Sequence, residues 1–273
     1  MKNIKNIALL LLLFIIVSCE KVIEVDLNTS EPKLVIDASI KWKKGTLGNQ
    51  QTIKLSTTGN FYSNVIPTVS NAIVFITDSN DMTFNFIESG VQGEYVCSNF
   101  LPVLNETYSL TVVQNNQTYI ATETLIPVPV IDSIKQKNNT GFGGKNIEIK
   151  SYFKDNSATN DYYLYKVKTN YNSIPNYRVF YDLLFQGNTF YAIYTDDKLK
   201  TGDLLQLELS GISKRYFNYM NILISLAGST GGSPFQSPPA TVRGNIINQT
   251  NEANYALGYF SLSEMDSKNY SVE

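Results

Sequence analysis

The chain has 273 residues with 22 basic and 24 acidic side chains, a formal net charge of −2, and no histidine. Without histidine, Ser-His-Asp and Cys-His mechanisms are excluded, and the commonest protein ligand of zinc, copper and non-haem iron is missing. The acidic balance offers no basic face for nucleic-acid phosphates. We therefore expect no metal, no other cofactor and no nucleic-acid partner.

Residues 1–18 are typical of a secretory signal peptide. Lys2 and Lys5 precede an apolar run at 7–17, which is too short to span a hydrocarbon layer of roughly 30 Å. The run ends in Ile-Val-Ser-Cys, which resembles the lipobox of bacterial lipoproteins, so Cys19 is predicted to carry the lipid anchor after cleavage. Removal of the two lysines leaves 20 basic against 24 acidic side chains, a net charge of −4. An ordinary signal peptide with an incidental cysteine is the alternative.

Residues 33–126, which follow a lipidated tether at 19–32, alternate polar and apolar side chains with period two. Clusters of turn-forming residues interrupt the pattern about every ten residues. Seven short strands with no intervening helix predict an Ig-like or transthyretin-like β-sandwich. The strands are expected at 34–40, 51–56, 72–77, 83–88, 93–98, 107–114 and 118–124.

Two polar clusters and one cysteine within this region have structural interpretations. The segments 78–81 and 115–116 consist mainly of Asp and Asn, which tolerate the left-handed backbone of hairpin turns. The first cluster lacks the glycine and the distal glutamate of an EF-hand, so we interpret it as a turn rather than a calcium loop. Cys97 alternates with apolar residues, which favours a buried free thiol. With Cys19 lipidated, no intramolecular disulfide can form.

Alternating prolines break the strand pattern at 127–135. Pro127 and Pro129 cannot donate hydrogen bonds to a central sheet, so we predict a Pro-rich linker and a domain boundary here. The tripeptide Asp-Ser-Ile at 132–134 resembles the short acceptor motif for O-glycosylation in Bacteroidota. Ser133 is therefore a candidate modification site, with a plain linker as the alternative.

Residues 136–273 are predicted to form a second β-rich domain with one short helix. Apolar residues recur at helical spacing near 212–227, with Ser210 or Ser213 as the N-cap and Gly228 at the end. The glycine-rich segment after this helix lacks the Lys-Ser or Lys-Thr of a phosphate-binding loop and is interpreted as a surface loop. Strands are expected at 146–153, 161–169, 176–184, 189–195, 204–210, 241–247 and 256–261.

Tyrosine is unusually dense in this second domain. Tyrosine rings are amphipathic and can stack on sugars or other flat ligands. Cross-strand packing is the simpler alternative. The candidate ligand surface consists of Tyr162, Tyr163, Tyr165, Tyr177 and Tyr181.

Four groups of motifs occur along the chain: CEKVI and EPKLVI at 19–36, PTV and AIV at 67–74, GEY and YSL at 93–110, and SPP, GNI and LGYF at 237–260. In this order they resemble an uncharacterised family of Bacteroidota outer-membrane lipoproteins, the domain of unknown function 4249. The resemblance covers nearly the whole mature chain. It implies no catalytic residues, because none is established in the family. It implies an outer-membrane location beside TonB-dependent receptors that carry a carboxypeptidase-regulatory-like β-domain.

The leading hypothesis is a non-enzymatic accessory or binding lipoprotein of the outer membrane, associated with a TonB-dependent transporter. Glu20 and Lys21, directly after the lipidated cysteine, partly match the signal for surface display in this phylum. A surface glycan-binding or adhesion lipoprotein is the alternative. A glycosidase needs no histidine, only two carboxylates roughly 5 to 10 Å apart. It is a remote alternative, because the sequence singles out no such pair.

Overall fold

The computed structural model describes residues 31–59, 65–141, 143–144, 146–228 and 242–273. These residues form fifteen β-strands, one α-helix and one short 3₁₀ helix. The predicted signal peptide, Cys19, nearly all of the tether and the segment 229–241 lie outside these residues. The strands are β1 (Leu34–Lys43), β2 (Gln51–Thr57), β3 (Ile73–Thr77), β4 (Thr83–Glu88), β5 (Glu94–Cys97), β6 (Thr107–Gln114), β7 (Gln117–Thr124), β8 (Ile131–Thr140), β9 (Asn146–Lys154), β10 (Tyr162–Thr169), β11 (Asn176–Tyr181), β12 (Thr189–Asp196), β13 (Leu204–Ile212), β14 (Ile247–Asn248) and β15 (Leu257–Ser271). The 3₁₀ helix is Asp182–Leu184 and α1 is Lys214–Gly228.

Twelve of these strands form one continuous sheet, in the order β11-β10-β13-β15-β1-β2-β5-β4-β3-β6-β7-β14. The strands β12-β9-β8 form a second sheet. Near the middle of the long sheet, β15 pairs with β1 in parallel from the Val35–Leu257 pair to the Lys43–Met265 pair. The later part of β15 pairs with β13 in antiparallel orientation. The predicted mainly-β fold with sandwich-like sheets and one helix is confirmed.

The described residues form two large hydrophobic cores. The first core packs alternate residues of β1 to β7, such as Ile36 and Ile40, which are fully buried. The second core packs β8, β9, β10, β12 and β13 around Phe153, which is also fully buried. Because side chains alternate between the two faces of a strand, half of each strand supplies a core and the other half is free for other uses.

The C-terminal strand joins the regions built around these two cores. Ile246, Phe260 and Leu262, which the sequence places in the second domain, belong to the first core. Residues 32–273 cluster as one compact unit. Residues of the segment 136–273 are therefore divided between the two cores, because the hydrophobic period of a strand does not tell which sheet the strand will join.

The expected Pro-rich linker at 127–135 is corrected in part, since β8 begins within it at Ile131. The segment is fastened to β15 by carboxylates. The Val128 amide donates to Oε2 of buried Glu264 at 2.9 Å, and the Ile131 amide donates to Oδ2 of Asp266 at 2.7 Å. The prolines remove donors from this stretch, and side chains of β15 satisfy amides that no neighbouring backbone reaches.

Several local predictions are confirmed. Asp78 accepts the amides of Asn80 and Met82 at 2.9 Å each, which makes the acidic cluster a turn. Asn115 and Asn116 have φ values of 50° and 58° in the β6–β7 hairpin. The free thiol Cys97 is 1 % exposed. The strand β8 was not predicted, and β15 runs ten residues beyond its predicted end at 261, to Ser271.

The predicted helix is present as α1, two residues later than its expected start and one beyond its expected end. Ser213 is the N-cap, since its Oγ accepts the Tyr216 amide at 3.1 Å. Ser210, the other predicted cap, lies inside β13. No helix among the described residues is long and apolar enough to cross a membrane.

Candidate functional site

A cleft of about 530 Å³ lies between α1 and the strands β1, β10, β13 and β15; we call it the α1 cleft. The sheet supplies a mostly polar floor and the helix supplies a mostly apolar roof. The floor includes Asp37, Ser39, Lys41, Ser210, Ser261 and Ser263. The roof includes Tyr216, Tyr219, Met220, Leu223, Ile224 and Ala227.

Strand alternation places the polar floor opposite the first core. Ala38 and Phe260 face that core, and their neighbours in the chain face α1. In the parallel register the floor residues of the two central strands form neighbouring pairs: Asp37 with Tyr259, Ser39 with Ser261, and Lys41 with Ser263. The sequence pattern that makes one face of β1 and β15 apolar thus makes the other face hydroxyl-rich.

Small floor residues leave the space that forms the cleft. Protein interiors are close-packed, and a helix normally buries large apolar side chains of the sheet beneath it. Here α1 packs on such residues at Leu164 and Ile212, which form a small cluster with Met220. Serines occupy the neighbouring floor positions and do not fill the remaining distance to the helix.

The charged groups at the cleft balance one another. Lys41 Nζ lies 2.6 Å from Glu208 Oε1, and Lys166 Nζ lies 3.4 Å from Glu208 Oε2. Burial acts to raise the pKa of Glu208, but the two lysines together outweigh it and hold that pKa below its usual value. With Asp37 on the floor, two carboxylates stand against two ammonium groups.

The hydroxyl of Ser210 on the floor has no hydrogen-bond partner in the described part of the chain. Ser210 is 1 % exposed, and its Oγ makes no hydrogen bond with any described residue. By contrast, Ser39 Oγ donates to Asp37 Oδ1 at 2.8 Å. On the roof, burial raises the pKa of Tyr216 to about 12, so its hydroxyl stays neutral at physiological pH, where it hydrogen-bonds with Ser261 and Ser39 of the floor. A buried hydroxyl without a partner is rare in folded proteins, and a bound polar group would explain it.

The predicted tyrosine surface is not a single surface, and this expectation is corrected. Tyr163 and Tyr165 are each 1 % exposed and lie in the second core, where their hydroxyls bond Asp155 at 2.5 Å and Ser151 at 2.8 Å. Tyr162 and Tyr181 pack with Phe217 of α1, and Tyr177 lines the α1 cleft. Adjacent strand residues point to opposite faces, so a run rich in tyrosine is divided between two environments.

Sequence reasoning missed the serines of the floor and the tyrosines of the roof. The signal was present as alternation, in Asp37-Ala38-Ser39-Ile40-Lys41 and in Tyr259-Phe260-Ser261-Leu262-Ser263. A polar alternate face is also what a solvent-exposed strand shows. Only the position of α1 over these strands distinguishes a covered cleft from open surface.

The remaining predicted site residues lie apart from the cleft. Ser133 is exposed on β8, an edge strand of the second sheet, directly after the register shift at Asp132. Its position leaves it accessible for modification. Cys19 is outside the described residues.

An acidic cluster at the edge of the second core was not predicted. Oxygen atoms of Asp155, Asp161 and Asp182 lie within 4.8 Å of one another. Burial, and then the neighbouring carboxylates, raise the pKa of Asp161 although Thr159 donates a hydrogen bond to it. Each of the three carboxylates also accepts a hydrogen bond from the chain. These bonds explain the cluster as a means of fixing the loops around β10.

Three solved structures are similar to this chain at low sequence identity. A two-domain fibronectin type III segment of chicken tenascin is 11 % identical, and the alignment covers 66 % of this chain and 90 % of that one with a TM-score of 0.23. A DUF4785 family protein from Legionella pneumophila is 12 % identical, with 65 % of this chain and 52 % of that one covered and a TM-score of 0.27. The FN1–FN3 domains of chicken CNTN1 are 9 % identical, with 67 % of this chain and 60 % of that one covered and a TM-score of 0.23.

No curated protein sequence matches the chain. The profile of the family described as "Domain of unknown function (DUF4249)" matches residues 20–269, which include every residue that lines the α1 cleft. The match extends over most of the chain, and the protein therefore belongs to the DUF4249 family.

Proposed function

We propose that this protein is a lipid-anchored, non-enzymatic binding protein of the outer membrane that acts beside a TonB-dependent transporter. The α1 cleft is the observation that carries the proposal, because a concave site with an apolar wall and a few converging polar groups is the usual form of a small-molecule site. The lipobox at Cys19 supports the anchor. The resemblance to lipoproteins encoded beside such transporters supports the partner.

Binding fits the cleft better than catalysis does. Asp37 is the only carboxylate among the described residues that line it. Glu208, next to the cleft, is held by two lysines and its pKa is low, which suits a structural anion rather than a general acid. Two opposed carboxylates are what the remote glycosidase alternative requires.

Metabolic labelling with an alkyne fatty acid tests the anchor. The wild-type chain should take up the label, and Cys19→Ser should lose it. Cys97→Ser is the matched control, because Cys97 is buried and carries no lipid in this proposal, so it should be labelled like the wild type. Equal labelling of the Cys19→Ser variant would remove the lipid anchor from the proposal.

Purification of the tagged protein from native membranes tests the partner. After crosslinking in intact cells, we expect an outer-membrane β-barrel receptor of the TonB-dependent class to copurify with the wild type and to be lost with Cys19→Ser. Protease added to intact cells should cleave the protein if it faces the medium. Repeated recovery without any such receptor would contradict the transporter role.

A glycan-binding role is the second candidate. The observation that favours it is the combination of tyrosine rings and hydroxyl groups in one cleft. Its location differs from the predicted tyrosine surface, because Tyr177 is the one member of that set that lines the cleft.

A further inference from the structure

We propose that the α1 cleft binds a neutral sugar, or a ring compound with the same pattern of hydroxyl groups. The inference rests on the proposed ligand-binding function and specifies its ligand. It is carried by three features of the described residues: an unpartnered hydroxyl on the floor, the balance of charge, and the apolar roof.

The unpartnered hydroxyl of Ser210 points to a ligand with hydrogen-bonding groups. Leaving a buried hydroxyl unsatisfied destabilises the folded chain, so a ligand that hydrogen-bonds to it removes that cost and is favoured over one that does not. Ser263, also on the floor, is 4 % exposed. A hydroxyl can donate and accept, so serines match the hydroxyl groups of a sugar in either direction.

Charge balance favours a ligand without net charge. Lys41 and Lys166 carry two positive charges at the cleft, and Glu208 and Asp37 carry two negative charges. Asp37 already accepts a hydrogen bond from Ser39. An anionic ligand would meet these two carboxylates, and a cationic ligand would meet the two lysines. A neutral ligand can bond Asp37 through hydroxyl groups without displacing either ion pair.

The roof and the aromatic end of the floor suit the apolar face of a sugar ring. The Tyr259 ring centroid lies 4.7 Å from those of both Tyr216 and Tyr219, so three rings meet at one end of the cleft. Leu223 and Ile224 continue the roof beyond them. Such rings offer a broad apolar surface together with a polar hydroxyl. The volume of about 530 Å³ is within the range of small-molecule sites.

Ligand-observed NMR with the full-length protein in detergent tests the proposal. The probes are neutral mono- and disaccharides, compared with uronic acids and amino sugars of the same ring size. We expect saturation transfer to the neutral sugars. Ser210→Ala, which removes the unpartnered hydroxyl, should weaken binding of the best neutral sugar at least 5-fold, and Ala227→Trp, which fills the cleft from its exposed rim, should abolish it.

Two matched variants control for unrelated effects. Ser225→Trp is the control for Ala227→Trp, because it places the same bulk on an exposed position of α1 that does not line the cleft. Ser133→Ala is the control for Ser210→Ala, because it removes an exposed hydroxyl that does not line the cleft. Both should bind like the wild type, and the melting temperature should show that all four variants fold. Preference for charged sugars, or binding that both cleft variants retain, would overturn the proposal. Absence of sugar binding by the wild type would also overturn the proposal. If instead the wild type took up no fatty-acid label and no receptor copurified with it, those results would contradict the proposed function and leave the sugar proposal untouched.

Discussion

The two faces of β10 and β13 differ in how they are filled. On one face, Tyr163 and Tyr165 of β10 and Leu209 of β13 pack into the second core. On the other face, Ser210 of β13 and Leu164 of β10 lie beneath α1, where space remains. The strands and their alternation are the same, so the difference arises from side-chain volume and from the element that covers each face.

Hydroxyl groups show the same contrast. In the second core, Tyr163 and Tyr165 have partners in Asp155 and Ser151. In the α1 cleft, Ser210 has none among the described residues. Buried polar groups are normally satisfied, as the tyrosine hydroxyls of the second core are, and Ser210 departs from this rule.

Truncation in the second core should give the largest effect. Phe153 is fully buried and its ring lies near those of Tyr163, Phe180, Phe185 and Phe190. Phe153→Ala should lower the free energy of unfolding by about 3–5 kcal/mol, because it removes apolar burial and leaves a cavity. Urea denaturation measures this change. A loss below about 1 kcal/mol would mean that this face is as loosely filled as the cleft face.

Neutralising the central ion pair of the cleft should have a smaller effect. Glu208→Gln removes the partner of Lys41 and Lys166, and the lysines are partly exposed, so we expect a loss of about 1–2 kcal/mol. The folded state lowers the pKa of Glu208, so the stabilisation is complete above its usual value of 4.5 and is lost as the pH falls through the lower folded value. Denaturation at several acidic pH values should therefore show a weaker pH dependence for Glu208→Gln. Parallel curves for both proteins would contradict the assignment.

Removal of one tyrosine hydroxyl from each face compares them directly. Burial raises the pKa values of Tyr165 and Tyr216 to about 12 each. Because the folded state favours the neutral phenol, each contributes stability below pH 10 that is lost as the pH rises towards 12. The Phe variant of either should lose less stability over that interval, as measured by alkaline denaturation. At neutral pH, Tyr165→Phe should cost about 1 kcal/mol, because it leaves buried Ser151 without its partner. Tyr216→Phe removes a hydroxyl that interacts with Ser261 and Ser39, so we expect a similar cost.

The smallest effect is expected from Ser210→Ala. Because its hydroxyl has no partner among the described residues, removing it should leave the free energy of unfolding unchanged or raise it by up to about 1 kcal/mol. Thermal denaturation without added sugar measures this. A clear loss of stability would show that the hydroxyl has a structural partner in the folded protein.

Local structure was largely predictable from the sequence. The bounds of β4 and β6 match their predicted ranges, and Ser213 caps α1 as one of two predicted caps. These features depend on neighbouring residues, which the sequence displays directly. By contrast, β8 was missed because Pro127 and Pro129 precede it and its apolar residues are few.

The sequence by itself determined the predominance of strands, the helix near 212–227 and the absence of histidine chemistry, since these follow from composition and local periodicity. Only the tertiary structure decided that β15 lies between β1 and β13, that Tyr163 and Tyr177 face different environments, and that α1 covers a floor of serines. Alternation divides a strand into two faces but does not say what will pack on either of them. That choice depends on contacts between residues far apart in the chain, such as Ser39 and Ser261.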